Sequence, residues 1–254
     1  MRLLGLVVLL LAGVASAAPD QSKRPVARAP AGASVATDSA AAQRIVTTAS
    51  SQSVATSLRP NPRPRSVVKR AVTRRAERRK GQVCGDRDLQ GDVVGTIPGR
   101  LRGCGIAEAV RLRSVSGITL SQPSLMDCKT AKTLKTWTDR SAKRALRRHG
   151  GGLAGFRVAA HYSCRTRNHR PGAPISEHGK GKAIDISGFI LRDGTVLTVL
   201  DGWSTRKGGR ALRAMHKAAC GPFGTVLGPN SDRFHKDHFH FDTLDHGGGR
   251  SYCR

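Results

Sequence analysis

The sequence predicts an α+β domain in which two helices pack on a small, mainly antiparallel β-sheet and disulfides staple the fold. Short runs rich in β-branched and aromatic residues alternate with Gly-rich turns, which is typical of strands. Two segments have the apolar spacing of a helix. Six cysteines, an even number, are confined to residues 84–253. Residues 81–254 contain all ten Phe, Trp and Tyr residues and are long enough for one compact core.

The predicted elements follow from these patterns. Strands are expected over residues 110–115, 156–164, 182–191, 195–200 and 237–242. A first helix is expected between residues 124 and 148, ended by three glycines at 150–152; its helically spaced apolar residues are Leu134, Trp137, Ala142, Ala145 and Leu146. A second helix is expected over residues 209–219, with Leu212, Met215 and Ala219 turned inward. Helices of this kind cover one face of an antiparallel sheet.

Residues 1–17 have the pattern of a secretory signal peptide. A charged start at Arg2 precedes an apolar run from Leu3 to Val14, and Ala-Ser-Ala at positions 15–17 forms a small-residue cleavage site. The run is too short to span a bilayer, and no second long apolar run follows. We therefore expect an exported protein, periplasmic or secreted, with no transmembrane segment after signal cleavage.

Residues 18–80 have a different composition and are predicted to be a disordered basic tether. They are built from Ala, Ser, Pro, Val and Arg and contain no aromatic residue, so they bury too little apolar surface to fold. Residues 18–83 hold 14 Lys and Arg against three acidic residues, within a chain of net charge +27. An exported basic chain meets peptidoglycan or another anionic cell-envelope polymer before it meets nucleic acid, so we expect the former as partner. A solvated linker without a specific partner is the alternative.

The cysteines are predicted to form three disulfides. No C-x-x-C pair is present and no cysteine adjoins the histidine-rich segment, which disfavours a thiolate metal site in an exported domain. The sequence leaves the pairing open. The six residues are Cys84, Cys104, Cys128, Cys164, Cys220 and Cys253.

Two segments near the C-terminus carry the residues of a metal site. Residues 176–185 read Ser-Glu-His-Gly-Lys-Gly-Lys-Ala-Ile-Asp, and residues 235–240 read His-Lys-Asp-His-Phe-His. Imidazole and carboxylate are the ligands of a three-residue zinc site that keeps a position for water and lowers the pKa of that water to about 7. The sequence therefore predicts metal-assisted hydrolysis. The absence of H-E-x-x-H excludes the helix-borne zinc peptidases.

Strand periodicity predicts how these residues meet. In a strand, His238 and His240 project from one face with Asp242 behind them, while the phenylalanines between them face the core. His178 lies on a Gly-containing turn seven residues before Asp185, from which it can fold back over the strand. Asp242 is either a hydrogen-bond partner of a ligand histidine or an ordinary strand carboxylate.

The pattern S-x-H-x-x-G-x-A-x-D followed by H-x-H resembles the zinc peptidases that include D-alanyl-D-alanine carboxypeptidases and dipeptidases, murein endopeptidases and lysostaphin-type enzymes. More closely, the chain resembles the bacterial extensin-like C-terminal domain family over nearly all of residues 81–254. The segments that carry this closer resemblance are residues 84–86, 103–105, 162–165, 176–185, 226–229, 235–240 and 252–254.

The peptidase resemblance implies a role for each matching residue. His178, Asp185 and His240 are expected to hold one zinc ion per chain. His238 is expected to act as general base, with His235 as the rival base or as a stabiliser of the transition state.

The resemblance also implies a substrate. Arg165 and Ser176 match groups that bind a substrate carboxylate, a task that suits a guanidinium fork.

Asp237 stands where some relatives carry a glutamate base, and its side chain is one carbon shorter. The implied activity is cleavage of an amide bond in peptidoglycan stem peptides. The alternative is a non-hydrolytic cell-wall-binding module that keeps zinc for structure.

Overall fold

The centre of the molecule is a ten-stranded, mostly antiparallel β-sheet with helices packed against it. The computed structural model describes residues 62–254; the predicted signal peptide and residues 18–61 of the predicted tether lie outside them. The predicted α+β class and mainly antiparallel sheet are confirmed. Within residues 62–254, no helix combines the length and apolarity needed to cross a membrane.

The sheet runs in the order β1-β2-β3-β4-β5-β6-β9-β8-β10, and β7 pairs with β6 beside this path. Two neighbouring pairs, β4 with β5 and β8 with β10, are parallel. The strands are β1 (Gln82–Val83), β2 (Asp86–Pro98), β3 (Gly105–Val115), β4 (Ile118–Asp127), β5 (Leu153–Ala160), β6 (Ala183–Leu191), β7 (Val196–Thr198), β8 (Thr225–Leu227), β9 (Phe239–Asp242) and β10 (Tyr252–Cys253). The α-helices are α1 (Arg65–Lys80), α2 (Cys128–Trp137), α3 (Lys143–Leu146), α4 (Val199–Gly202) and α5 (Arg206–Ala219).

Helix α1 differs from the prediction of a tether without regular structure. Its sixteen residues contain no Gly or Pro and include six arginines, a residue that favours a helix. None of its side chains is buried, so its contribution to the core is negligible. Such a helix cannot be predicted from apolar periodicity, because it has no apolar stripe.

The two predicted helices are present, with shifted starts. The first begins at Cys128, because Asp127 accepts a hydrogen bond from the backbone N–H of Thr130 and caps it. A π-helical turn at Thr138–Ala142 joins α2 to α3. Residues 124–127, predicted as helix, instead complete strand β4. Helix α5 buries Leu212, Met215 and Ala219, as predicted.

Two long strands were not predicted, and the bounds of others differ. Strand β2 contains two glycines and several charged residues, and β4 contains Pro123 beside a bulge where its register with β3 shifts. These residues mask the alternating pattern. Strand β5 ends at Ala160, four residues earlier than predicted, and the chain after β7 turns into the short helix α4.

The core lies between the helices and one face of the sheet. Trp137 packs with its ring centroid 5.7 Å from that of Phe156 and 5.0 Å from that of Phe241, and its indole N–H donates to the carbonyl of Met215 at 3.0 Å. Phe239 and Phe241 are fully buried, so the strand β9 that carries His240 turns its phenylalanines to the core as predicted.

All six cysteines are paired, which confirms the disulfide prediction and resolves the connectivity. The pairs are Cys84–Cys128, Cys104–Cys164 and Cys220–Cys253. The second pair fastens the segment after β5 to the loop before β3, and the third joins the end of α5 to the C-terminal strand.

Candidate metal centre

Strand register brings two of the predicted ligands together. In the antiparallel pair β6 and β9, Asp185 lies directly opposite His240, so their side chains leave the same face of the sheet as neighbours. Ala183 lies opposite Asp242 in the same register. The face opposite to the phenylalanines therefore carries a carboxylate, an imidazole and a second carboxylate in a row.

His178 comes from a short 3-10 turn, Glu177–Lys180, that precedes β6. Gly181 ends this turn with φ +68°, and a Cβ there would collide with the side chain of Ile106. Gly179 packs so closely that a Cβ would lie 3.0 Å from Cys104 Sγ. The two glycines let the turn lie against the Cys104–Cys164 disulfide, and so His178 folds back over the strand.

The three side chains converge on one point. His178 Nε2 lies 3.2 Å from His240 Nδ1 and 3.1 Å from Asp185 Oδ2, and His240 Nδ1 lies 2.9 Å from Asp185 Oδ1. All three residues are buried, and one ligand atom from each lies within 4.8 Å of the others. Within residues 62–254, this is the group of His, Cys, Asp and Glu side chains that meets the geometry of a metal site.

The hydrogen bonds on the far side of each imidazole fix which nitrogen faces the centre. His178 Nδ1 lies 2.7 Å from the carbonyl oxygen of His161, which can only accept, so this nitrogen carries a proton. His240 Nε2 lies 3.1 Å from Asp242 Oδ2, and an ionised carboxylate can likewise only accept. The neutral rings therefore turn their lone pairs towards each other and towards Asp185.

Such a convergence of acceptors requires a cation between them, either a metal ion or an additional proton. Three ligands of imidazole and carboxylate type, each histidine oriented by a hydrogen bond from its other nitrogen, match the donor set of an open zinc site. The residues present thus fit a zinc ion held by His178, Asp185 and His240.

The pKa shifts express the same electrostatics. Burial alone would raise the pKa of Asp185, but the two facing imidazoles of His178 and His240 outweigh it and hold the pKa far below its usual range. Burial alone would lower the pKa of His240, but hydrogen bonds to Asp185 and Asp242 raise it to about 9. Without a metal, the proton that neutralises the cluster therefore resides on His240 at neutral pH.

Two further histidines border the centre, and each is paired with an aspartate. His238 Nδ1 lies 2.8 Å from Asp237 Oδ1, and His238 Nε2 lies 3.7 Å from Asp185 Oδ2. His238 comes one residue before β9 rather than within it, contrary to the predicted strand bounds. The carboxylate of Asp237 accepts from the Nδ1–H of His238, so the free Nε2 lone pair faces the ligands.

His235 has the same arrangement with a different partner. Its Nδ1 lies 2.8 Å from Asp232 Oδ1, and its ring centroid lies 5.2 Å from that of His238. Burial lowers the pKa of His235, and Asp232 offsets this only in part. His235 is therefore neutral at pH 7 and able to accept a proton at Nε2.

All seven predicted site residues line one cavity of about 400 Å³. Arg165 and Ser176 stand side by side on its wall, because the backbone N–H of Ser176 donates to the carbonyl of Arg165 at 3.0 Å. Sequence reasoning gave no role to several further residues of this wall, most of them from loops without a recognisable motif, although Glu177 lies within residues 176–185 and Tyr252 within residues 252–254. They are Arg167, Asn168, His169, Glu177, Asp232, Phe234, His246 and Tyr252.

Asp242 proves to be the hydrogen-bond partner of a predicted ligand rather than an ordinary strand carboxylate. It is buried, and its second oxygen accepts from the backbone N–H groups of Thr225 and Leu244 at 3.1 and 3.0 Å. Burial raises its pKa, but the hydrogen bond from His240 outweighs this and lowers it. Asp242 is therefore an ionised, firmly held acceptor for His240.

Comparison with known proteins identifies the family. Residues 91–254 match the family described as "Extensin-like protein C-terminus", which covers more than half of the chain. The chain therefore belongs to this family. No curated protein and no solved structure matches the chain.

Proposed function

We propose that this extensin-like protein is an exported, zinc-dependent hydrolase that cleaves an amide bond in the stem peptides of peptidoglycan. The observation that carries the proposal is the set of three ligand atoms from His178, Asp185 and His240 at the bottom of a cavity. A structural zinc site is normally closed by four protein ligands, whereas a catalytic site uses three and keeps one position for water or substrate. Three ligands in a cavity therefore favour hydrolysis over the alternative of a wall-binding module with a structural zinc.

When bound, a zinc ion supplies Lewis-acid activation of water and of the scissile carbonyl. The chain itself supplies the proton transfers. His238 Nε2 accepts a proton from the attacking water as its oxygen bonds to the carbonyl carbon, and the proton then passes to the amine that leaves as the C–N bond breaks. His235 is the second candidate for this role, and each histidine has its tautomer fixed by an aspartate.

The cavity wall supports a peptide substrate that carries a carboxylate. Arg165 is half-buried beside Ser176, where a guanidinium fork can bind two carboxylate oxygens. The likeness of the ligand motif to zinc peptidases of the D-alanyl-D-alanine carboxypeptidase and murein endopeptidase type supports the same reaction class. The secretory pattern of residues 1–17, three disulfides and the basic chain support an extracytoplasmic envelope as the place of action.

The experiment measures zinc content and products separately. Alanine at His178, Asp185 or His240 is expected to abolish zinc binding, because each removes one of three protein ligands. His238→Ala is expected to retain about one zinc per chain and to lose release of stem-peptide fragments from purified peptidoglycan, measured by mass spectrometry.

Two variants calibrate these results. His235→Ala, assayed in parallel, decides which histidine is the base. His169→Ala changes an exposed histidine of the same cavity that lies outside the ligand set, and it is expected to retain zinc. Loss of zinc in His238→Ala with retention in His240→Ala would invert the ligand assignment. If the zinc-loaded wild type binds peptidoglycan but releases no fragment from any stem composition, the hydrolase proposal is refuted and the protein is a wall-binding module with a structural zinc.

A further inference from the structure

A second charged feature lies away from the metal centre, between helix α1 and strand β2. A cleft of about 660 Å³ opens between them. Five of its eight lining residues are arginines, and Asp88 is its one acid. The arginines are Arg70, Arg74, Arg75, Arg78 and Arg87.

At one end of the cleft, contacts between α1 and β2 hold the two elements together. Arg78 forms an ion pair with Asp88, and the side-chain amide of Gln90 donates to the carbonyl of Arg78 at 2.9 Å. Lys135 Nζ lies 3.7 Å from the other oxygen of Asp88. These contacts hold the C-terminal end of α1 on β2. Because Asp88 is already paired with Arg78 and Lys135, it does not neutralise the remaining arginines of the cleft.

Those remaining arginines have no such partner. Within residues 62–254, the side chains of Arg70, Arg74, Arg75 and Arg87 form no ion pair and no hydrogen bond. All four are exposed. Arg70 and Arg74 lie one helical turn apart, about 6 Å along the axis, and Arg75 and Arg87 also line the cleft, which makes a row of positive charges. A row of charges matches a linear polyanion better than a single small anion.

The guanidinium groups that line the cleft limit the chemical class of anion that it can bind. Guanidinium groups bind the planar oxygen pairs of phosphate and carboxylate through two parallel N–H donors, and they are over-represented where phosphate is bound. No aromatic residue lines the cleft, so nucleobases have nothing to stack on, and stacking is the usual basis of single-strand binding. Helix α1 also buries no side chain and is basic on all sides, unlike a helix that inserts an apolar face into a membrane.

We propose that this arginine cleft binds a linear, base-free phosphate polymer, of the phosphodiester or polyphosphate type, and so docks the domain on an anionic envelope polymer. The site is separate from the metal centre and does not require the proposed hydrolysis. Inorganic polyphosphate of defined length is the probe, titrated against the mature chain by fluorescence anisotropy at several salt concentrations.

The test variant combines Arg70→Gln, Arg74→Gln and Arg75→Gln. These side chains are exposed, so the melting temperature is expected to stay unchanged. We expect about tenfold or more weaker binding at 50 mM salt, and a slope of log K against log salt that is shallower by about 2–3, as counterion release predicts for three lost phosphate contacts. Lysine at the same three positions keeps the charge but loses the fork, and it is expected to restore only part of the affinity.

A matched control removes three exposed charges elsewhere, by Arg206→Gln, Lys207→Gln and Arg210→Gln on helix α5. It is expected to lose less than half as much binding free energy. An equal loss in both triple variants would overturn the cleft as a site and leave only diffuse charge attraction.

Other probes test the chemistry of the ligand. Poly-L-glutamate binding as tightly as polyphosphate at equal charge would overturn the preference for phosphate. Tighter binding of single-stranded DNA per phosphate would overturn a base-free polymer, and cleft-dependent binding to anionic lipid vesicles but not to polyphosphate would replace the polymer by a membrane surface. EDTA and His240→Ala are expected to leave polyphosphate binding unchanged, which separates this proposal from the hydrolase.

Discussion

Asp242→Asn is expected to weaken zinc binding about 10- to 100-fold although it removes none of the three ligands. In the wild type, Asp242 Oδ2 accepts from His240 Nε2 at 3.1 Å, while Oδ1 accepts two backbone N–H groups. An asparagine oxygen can keep the two backbone bonds, but its NH₂ group then faces His240 Nε2. The ring must present a lone pair there, so its proton moves to Nδ1, the atom that would bind the metal.

The loss corresponds to about 1.4–3 kcal/mol of binding free energy. Zinc affinity is measured by competition with a chromophoric chelator at fixed pH, and the melting temperature of the metal-free protein checks the fold. Asp245→Asn is the control, because it makes the same change of charge three residues along at an exposed position that has no contact with His240. Wild-type zinc affinity in Asp242→Asn, with the fold intact, would refute both the tautomer argument and the placement of the ion on Nδ1.

Three further outcomes are expected. The metal-free protein should lose about 3 kcal/mol of unfolding free energy between about pH 6.5 and 9, because the pKa of His240 is raised to about 9 in the folded state and the stabilising proton is lost as pH rises through that value. Urea unfolding at several pH values measures this loss. Stability that rises over this window would contradict the assignment of the proton to His240. Asp232→Asn should lower the NMR titration midpoint of His235 further, because Asp232 offsets the effect of burial on its pKa, whereas an unchanged midpoint would exclude a working hydrogen bond. Gly181→Ala should destabilise the domain by about 2–4 kcal/mol, because it combines a left-handed backbone with a collision at Ile106; calorimetry with wild-type stability would show that the turn can rearrange.

Local patterns were sufficient for the elements that bury an apolar stripe. Helix α5 and the helix from Cys128 were predicted because burial requires apolar side chains at helical spacing, and Leu212 and Trp137 are indeed fully buried. The pattern failed for α1, which buries nothing, and for β2, most of whose residues, the charged ones among them, are exposed or only half-buried. Exposed elements leave little trace in an apolar pattern because solvent tolerates most side chains.

The sequence by itself determined the chemical types at the centre. His178, Asp185 and His240 are prominent in two short motifs, and a strand alternates its faces, so the opposite directions of His240 and Phe239 follow from the chain alone.

Only the tertiary structure decided the rest: the pairing of the six cysteines, the β6–β9 register that sets Asp185 opposite His240, the approach of His178 to His240, and the carbonyl of His161 as the partner of His178. The physical reason is that a hydrogen bond or a disulfide depends on distance in space. Residues 17 to 62 positions apart along the chain reach that distance only after the sheet has formed.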